Sequence, residues 1–117
     1  PRVVDDAARS KASGVRQPAT NAATLADGLR AGIGAITFPI VRDRVDHIIA
    51  VEETDIATWM RFAFERLKLV IEASAAVGVA AATGPSFRAI ARDAGWRHVA
   101  IVICGGNVDL HRLPWLA

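Results

Sequence analysis

Apolar residues recur at spacings of three and four from Ile56 through Met60, Ala63 and Leu67 to Val70, which predicts an amphipathic helix with one face turned to a core. Glu52, Glu53 and Asp55 crowd its start, where the helix dipole favours negative charge. Arg61 and Glu65 stand four apart on the other face and are spaced to pair, a contact worth about 0.3–0.5 kcal/mol. The next segment, Ser74 to Ala82, is so rich in Ala, Gly and Val that it predicts a helix packed closely on all sides. Nearer the start, Asp5 to Ala12 reads as a short polar helix that Gly14 stops, and Ala22 to Arg30 as another that Gly32-Ile33-Gly34 breaks. Pro39 suits the first position of a further short helix, Ile40 to Val45. Two runs lack helical spacing. His47 to Val51 is a short apolar run bounded by charge, and His98 to Cys104 is apolar without alternation, the mark of a strand covered on both faces. Gly105-Gly106-Asn107 ends the second run.

Strands separated by long helical stretches predict an α/β architecture with parallel pairing. Two strands alone make a poor parallel sheet, so these two require neighbours that this chain does not supply. With 117 residues and 52% hydrophobic composition the chain is sized for one domain with a real core.

Charge and cysteine content narrow the function classes. The formal net charge is +2, and the sequence pI of 9.4 overstates the basicity, because with no tyrosine little titrates between His and Lys. No nucleic-acid partner is expected from it. The single cysteine, Cys104, forms no internal disulfide, so a disulfide-framed secreted fold is excluded and a cytoplasmic location is expected. Nothing at the start of the sequence reads as a signal peptide. The longest apolar stretch, Leu69 to Thr83, is too short for a membrane span and carries Glu72, so no membrane association is expected.

Few residues carry chemistry on spacing alone. Cys104 precedes two glycines at the carboxyl end of an expected strand, where open parallel sheets bind ligands; it suits a nucleophile, a metal ligand, a hydrogen-bonding group or an inert core thiol. Gly32-Ile33-Gly34 is half of a dinucleotide fingerprint without the preceding strand, and His47, His98 and His111 lack metal spacing. Asp5 and Asp6 suit either a hard cation or a helix start. Glu72 lies inside an apolar segment, so its carboxylate has to be paired, neutralised or functional.

Five motifs in order carry a family resemblance: Thr24-Leu25-Ala26-Asp27-Gly28, Thr37-Phe38-Pro39-Ile40, Lys68-Leu69-Val70-Ile71-Glu72, Gly78-Val79-Ala80-Ala81 and Cys104-Gly105-Gly106-Asn107-Val108-Asp109-Leu110. From Pro1 to Trp115 the chain resembles the C-terminal third of the serine racemase and serine/threonine dehydratase family of fold type II pyridoxal phosphate enzymes. The resemblance implies an α/β fold, the C-terminal part of a large domain built on a mainly parallel twisted sheet flanked by helices. It implies that Cys104 hydrogen-bonds the pyridine nitrogen of pyridoxal 5'-phosphate, that the Gly28 backbone lies beside the cofactor ring, and that Glu72 stands near the ring and a subunit interface. Ala73 departs from the family pattern, in which Pro often follows this Glu. More weakly, Lys68 and Asn107 are implied near a nucleotide site.

Pro1 to Asp6 resembles a segment in which a Glu, a backbone carbonyl and an Asp hold Mg or Ca; here that means the Val4 carbonyl and the Asp6 carboxylate, the Glu falling just before Pro1. The Schiff-base lysine and the phosphate-binding loop belong to an N-terminal portion outside this sequence, and neither Lys11 nor Lys68 sits in that lysine's motif. The implied activity, in assembly with that portion and as a homodimer or larger, is dehydration of a small hydroxy amino acid (serine, threonine or 3-hydroxyaspartate) to a 2-oxo acid and ammonia. Serine racemisation is the alternative reaction, and a non-catalytic regulatory module derived from this family is the alternative class.

Overall fold

The computed structural model describes residues 1–116. Five α-helices follow one another: α1 (Asp6–Ser13), α2 (Thr37–Arg44), α3 (Glu53–Phe62), α4 (Ala73–Thr83) and α5 (Pro85–Asp93). Asp6 sits in the first turn of α1, and Gly14 closes that helix at φ 70°, a left-handed position that costs glycine nothing. The helix α2 starts at Thr37, so Pro39 falls in its first turn, where an N–H would have no partner inside the helix.

The core forms where α3 meets α4. Ile56, Met60 and Ala63 are buried as their spacing requires, against Ala75, Ala76 and Ala80 of α4 and against Ala26, Val51 and Ile71 from the connecting segments. Truncating Ile56 or Met60 to Ala in such a setting costs about 2–5 kcal/mol. Beyond Ala63 the stripe fails. Residues Ala63–Leu67 form a π-helical turn, wider than an α-turn, and Lys68 ends it at φ 58°. Leu67 within that turn and Val70 in the extended chain beyond it are exposed, while Ile71 returns to the core. The expected Arg61–Glu65 pair is present at 2.7 Å on the solvent side, and its hydrogen bond holds the Glu65 carboxyl below the usual glutamate range.

Small residues in α4 permit close approach. A Cβ at Gly78 would sit 3.2 Å from the Ile101 methyl, so the helix rests almost directly on the extended chain there. Gly84 and Pro85, the latter in the first turn of α5, set off a helix that the apolar pattern does not predict. At the other end, the Phe64 and Trp115 rings meet edge to face at 5.3 Å and fasten the C-terminal segment to the core.

The expected sheet is not formed among the described residues. His47–Val51 and His98–Cys104 form no strand ladder, and Val102 is 81% exposed where coverage on both faces is expected. The physical reason is pairing: a strand exists only against a neighbour that takes its backbone groups, and among the described residues no such ladder forms, although the Val51 carbonyl accepts the Arg2 amide at 2.8 Å. Ala22–Arg30 likewise yields only a 3-10 turn at Asp27–Leu29 in place of a helix. The fold is therefore a slab 40 × 36 × 20 Å in extent, with apolar extended chain on its surface. No helix among the described residues is long and apolar enough to cross a membrane.

Candidate functional site

Glu72 is the hub of the site. It stands in extended conformation just before α4, and its own N–H donates to the Gly105 carbonyl at 3.2 Å. Its carboxylate Oε2 accepts the Asn107 N–H at 3.3 Å. Gly105 has φ 84°, and a Cβ built on it would overlap the Glu72 carboxyl group. Two independent requirements, left-handed backbone and lack of space, thus make this position glycine. The half-buried carboxylate in the apolar segment is explained by the turn it supports.

A second loop reaches the same place. The Gly28 N–H donates to Ser74 Oγ at 3.1 Å and to Asp27 Oδ1 at 2.9 Å, and a Cβ on Gly28 would lie 2.9 Å from Ser74 Oγ. Glu72 Oε1 would be 3.8 Å from that same Cβ. Gly28, Glu72, Gly105 and Asn107 therefore converge from three parts of the chain. Glu53, from the start of α3, anchors the Gly28 loop by accepting from the Thr24 hydroxyl and the Leu25 amide, each at 2.7 Å. Sequence reasoning does not single out Ser74 or Glu53 for the site. The signal available for Ser74 is a lone hydroxyl among Ala, Gly and Val, a group that needs a partner wherever it is buried.

Between these loops lies a cleft of about 370 Å³, lined among others by Asp27, Arg30, Glu72, Asn107, Asp109 and Arg112. Glu72 and Asn107 line it directly, and Gly28 and the Gly105–Gly106 pair adjoin its lining residues Asp27 and Asn107 in the chain. Cys104, immediately before that turn, is an exposed free thiol.

The remaining expected residues lie apart. Lys68 does not line this cleft; its ammonium caps its own π-helical turn by donating to the Glu65 carbonyl at 2.8 Å. Only Asn107 of the implied nucleotide pair reaches the cleft. Asp6 is buried, 5% exposed, and its Oδ2 accepts the Ile33 N–H at 2.9 Å, joining α1 to the loop before α2. Asp5 is taken by Arg9 at 2.7 Å. The Val4 carbonyl and one free Asp6 oxygen fall well short of the six to eight oxygens that Ca takes, and no group of three acids, histidines or cysteines stands together among the described residues. The residues present do not by themselves make a cation site.

Side-chain-free backbone at Gly28 and Gly105, with the hydrogen-bonded Glu72 carboxylate between them, stands beside this cleft, and neither lysine of the chain lines it.

Comparison with known proteins gives the family of the chain. The sequence pattern of the family described as "Pyridoxal-phosphate dependent enzyme" matches residues 1–105. A serine racemase of Arabidopsis thaliana is 44% identical over 115 residues, covering 97% of this chain and 34% of that protein. Among solved structures, maize serine racemase superposes with a TM-score of 0.89 at 41% identity, over 95% of this chain and 34% of its own. A threonine deaminase from T.th. gives 0.76 at 35% identity, over 94% and 39%. The chain thus spans about a third of the length of the relatives it matches. It belongs to the pyridoxal-phosphate dependent enzymes of fold type II.

Proposed function

We propose that this chain is the C-terminal part of the cofactor-binding large domain of an enzyme that acts on serine or a similarly small hydroxy amino acid, with racemisation at Cα as its first reaction. The observation that carries the reading is the convergence of Gly28, Glu72 and the Gly105–Asn107 turn beside the cleft that Glu72 and Asn107 line. Serine racemase as the name of relatives up to 44% identical favours racemisation over the dehydration expected from sequence alone. Dehydration to a 2-oxo acid and ammonia is retained as the second reading, favoured by the threonine deaminase structure. Both begin with loss of the Cα proton.

Pyridoxal phosphate, when bound, supplies the electron withdrawal that makes that proton acidic. This chain contributes position and polarity. Cys104 would offer its thiol to the pyridine nitrogen, a weak hydrogen bond that would keep the withdrawal modest. Modest withdrawal suits prompt return of a proton to Cα, or loss of the β-hydroxyl. Glu72 fixes the turn beyond Cys104 by accepting the Asn107 amide, so that the segment carrying the thiol ends at a defined place. Gly28 would present backbone to the cofactor, its amide held by Ser74 Oγ. The Schiff-base lysine and the phosphate loop come from the N-terminal portion of the same enzyme, whose strands also give His47–Val51 and His98–Cys104 the neighbours they need.

The test is the enzyme containing this chain, loaded with cofactor and given L-serine, with D-serine read by chiral chromatography and pyruvate by a coupled reductase. D-serine as the main early product supports the first reading. Pyruvate alone selects the second. Neither product from serine, threonine or 3-hydroxyaspartate makes the chain a non-catalytic module.

A further inference from the structure

The loop that carries Gly28 owes its shape to a residue on a different element. Glu53, in the first turn of α3, has both carboxylate oxygens engaged there: Oε1 accepts from the Thr24 hydroxyl and Oε2 from the Leu25 amide, each at 2.7 Å. The buried Thr24 in turn accepts the Ala26 amide on its Oγ1 at 3.1 Å, and its carbonyl accepts from the Arg30 guanidinium at 3.2 Å. The Asp27 amide bonds the Leu25 carbonyl at 3.0 Å, and the Gly28 amide bonds Ser74 Oγ at 3.1 Å. From Leu25 to Gly28, then, each backbone amide has an acceptor, and no α-helix supplies it. Hydrogen bonds to a carboxylate are the strong ones in this set, and Glu53 holds the entrance of the loop with two.

We propose that Glu53 is a positioning residue for the cofactor site, fixing the Thr24–Gly28 loop so that Thr24, Leu25 and Asp27 keep their places in the cleft lining and the Gly28 backbone stays beside them. The proposal rests on the cofactor reading of that cleft given above. Glu53 touches no reacting group. Its effect passes through Thr24 and Leu25 to Gly28.

The experiment compares the full enzyme with its Glu53→Ala, Glu53→Gln and Thr24→Val variants by two measurements. The first is amide hydrogen exchange of peptides covering residues 24–30 and 73–83, without added cofactor. The second is pyridoxal phosphate affinity by visible absorbance. In Glu53→Ala, exchange in 24–30 speeds up at least about tenfold while 73–83 is unchanged, and the cofactor dissociation constant rises about tenfold. Glu53→Gln recovers part of both effects, because its amide oxygen still accepts one of the two bonds. Thr24→Val added to Glu53→Ala changes little further. Unchanged exchange in 24–30, or equal acceleration in 73–83, overturns the assignment, the latter by making Glu53 a general stabiliser. Absence of cofactor uptake by the unmodified enzyme overturns the cofactor reading instead, and is seen separately from the exchange result.

Discussion

The Glu72 amide donates to the Gly105 carbonyl at 3.2 Å, and the Glu72 carboxylate occupies the space that a side chain at Gly105 would need. The start of α4 and the end of the His98–Cys104 segment are thereby locked together at the cleft, and the Glu72 carboxylate restricts position 105 to glycine.

Replacing Gly105 by Ala tests that lock. The left-handed backbone alone costs a non-glycine residue about 1–2 kcal/mol, and the overlap with Glu72 adds to it. The full enzyme carrying Gly105→Ala is expected to melt earlier and to bind pyridoxal phosphate more weakly. Combining it with Glu72→Ala removes the overlap, so the double variant loses less than the sum of the singles. Strict additivity in melts and cofactor titration counts against the contact.

Much of this is readable in the sequence, and what is not has physical causes. The Ile56, Met60 and Ala63 face is visible because helical spacing and burial coincide there; Leu67 departs from it in a π-helical turn that leaves no mark in apolar spacing, and Val70 because the helix has ended before it. Ala22–Arg30 has helical composition, yet Glu53, Ser74 and Thr24 Oγ1 claim the amides that a helix would use. The helix α5 does not follow from apolar spacing, although Gly84-Pro85 is a fair start signal. His47–Val51 and His98–Cys104 are strand-like in local pattern, but pairing is a non-local property. In the site, Gly28, Glu72 and Asn107 follow from the family motifs, whereas Glu53 and Ser74 reach the site through contacts 28 and 46 residues away in sequence.

Neither lysine of this chain is placed to bond the cofactor covalently. Lys11 Nζ donates to the Arg42 carbonyl at 3.0 Å and Lys68 Nζ to the Glu65 carbonyl at 2.8 Å, both away from the cleft lining. Borohydride reduction of the enzyme with bound pyridoxal phosphate, followed by peptide mass mapping, should place the label outside this chain. A stoichiometric phosphopyridoxyl group on Lys68 or Lys11 contradicts this.

Asp6 has structural work independent of any cation. Asp6→Ala leaves the Ile33 amide without its acceptor, a loss of about 1–3 kcal/mol, while Asp6→Asn keeps an acceptor and loses less. Thermal melts in the presence of chelator should rank the unmodified enzyme above Asp6→Asn and Asp6→Asn above Asp6→Ala. If all three melt together once chelator is present, Asp6 acts through a bound cation and the Ile33 contact is incidental.

The central claim is that the segment ending at Cys104 forms one wall of the pyridoxal phosphate site, with the thiol as a neutral partner of the ring nitrogen. Its most direct test is cofactor affinity and turnover of Cys104→Ser beside Cys104→Ala in the full enzyme. The serine hydroxyl offers the same kind of hydrogen bond, so Cys104→Ser should keep most of both, whereas Cys104→Ala should lose affinity and rate together. Near-unmodified values for both variants would contradict the account and leave Cys104 a bystander at the end of an exposed segment.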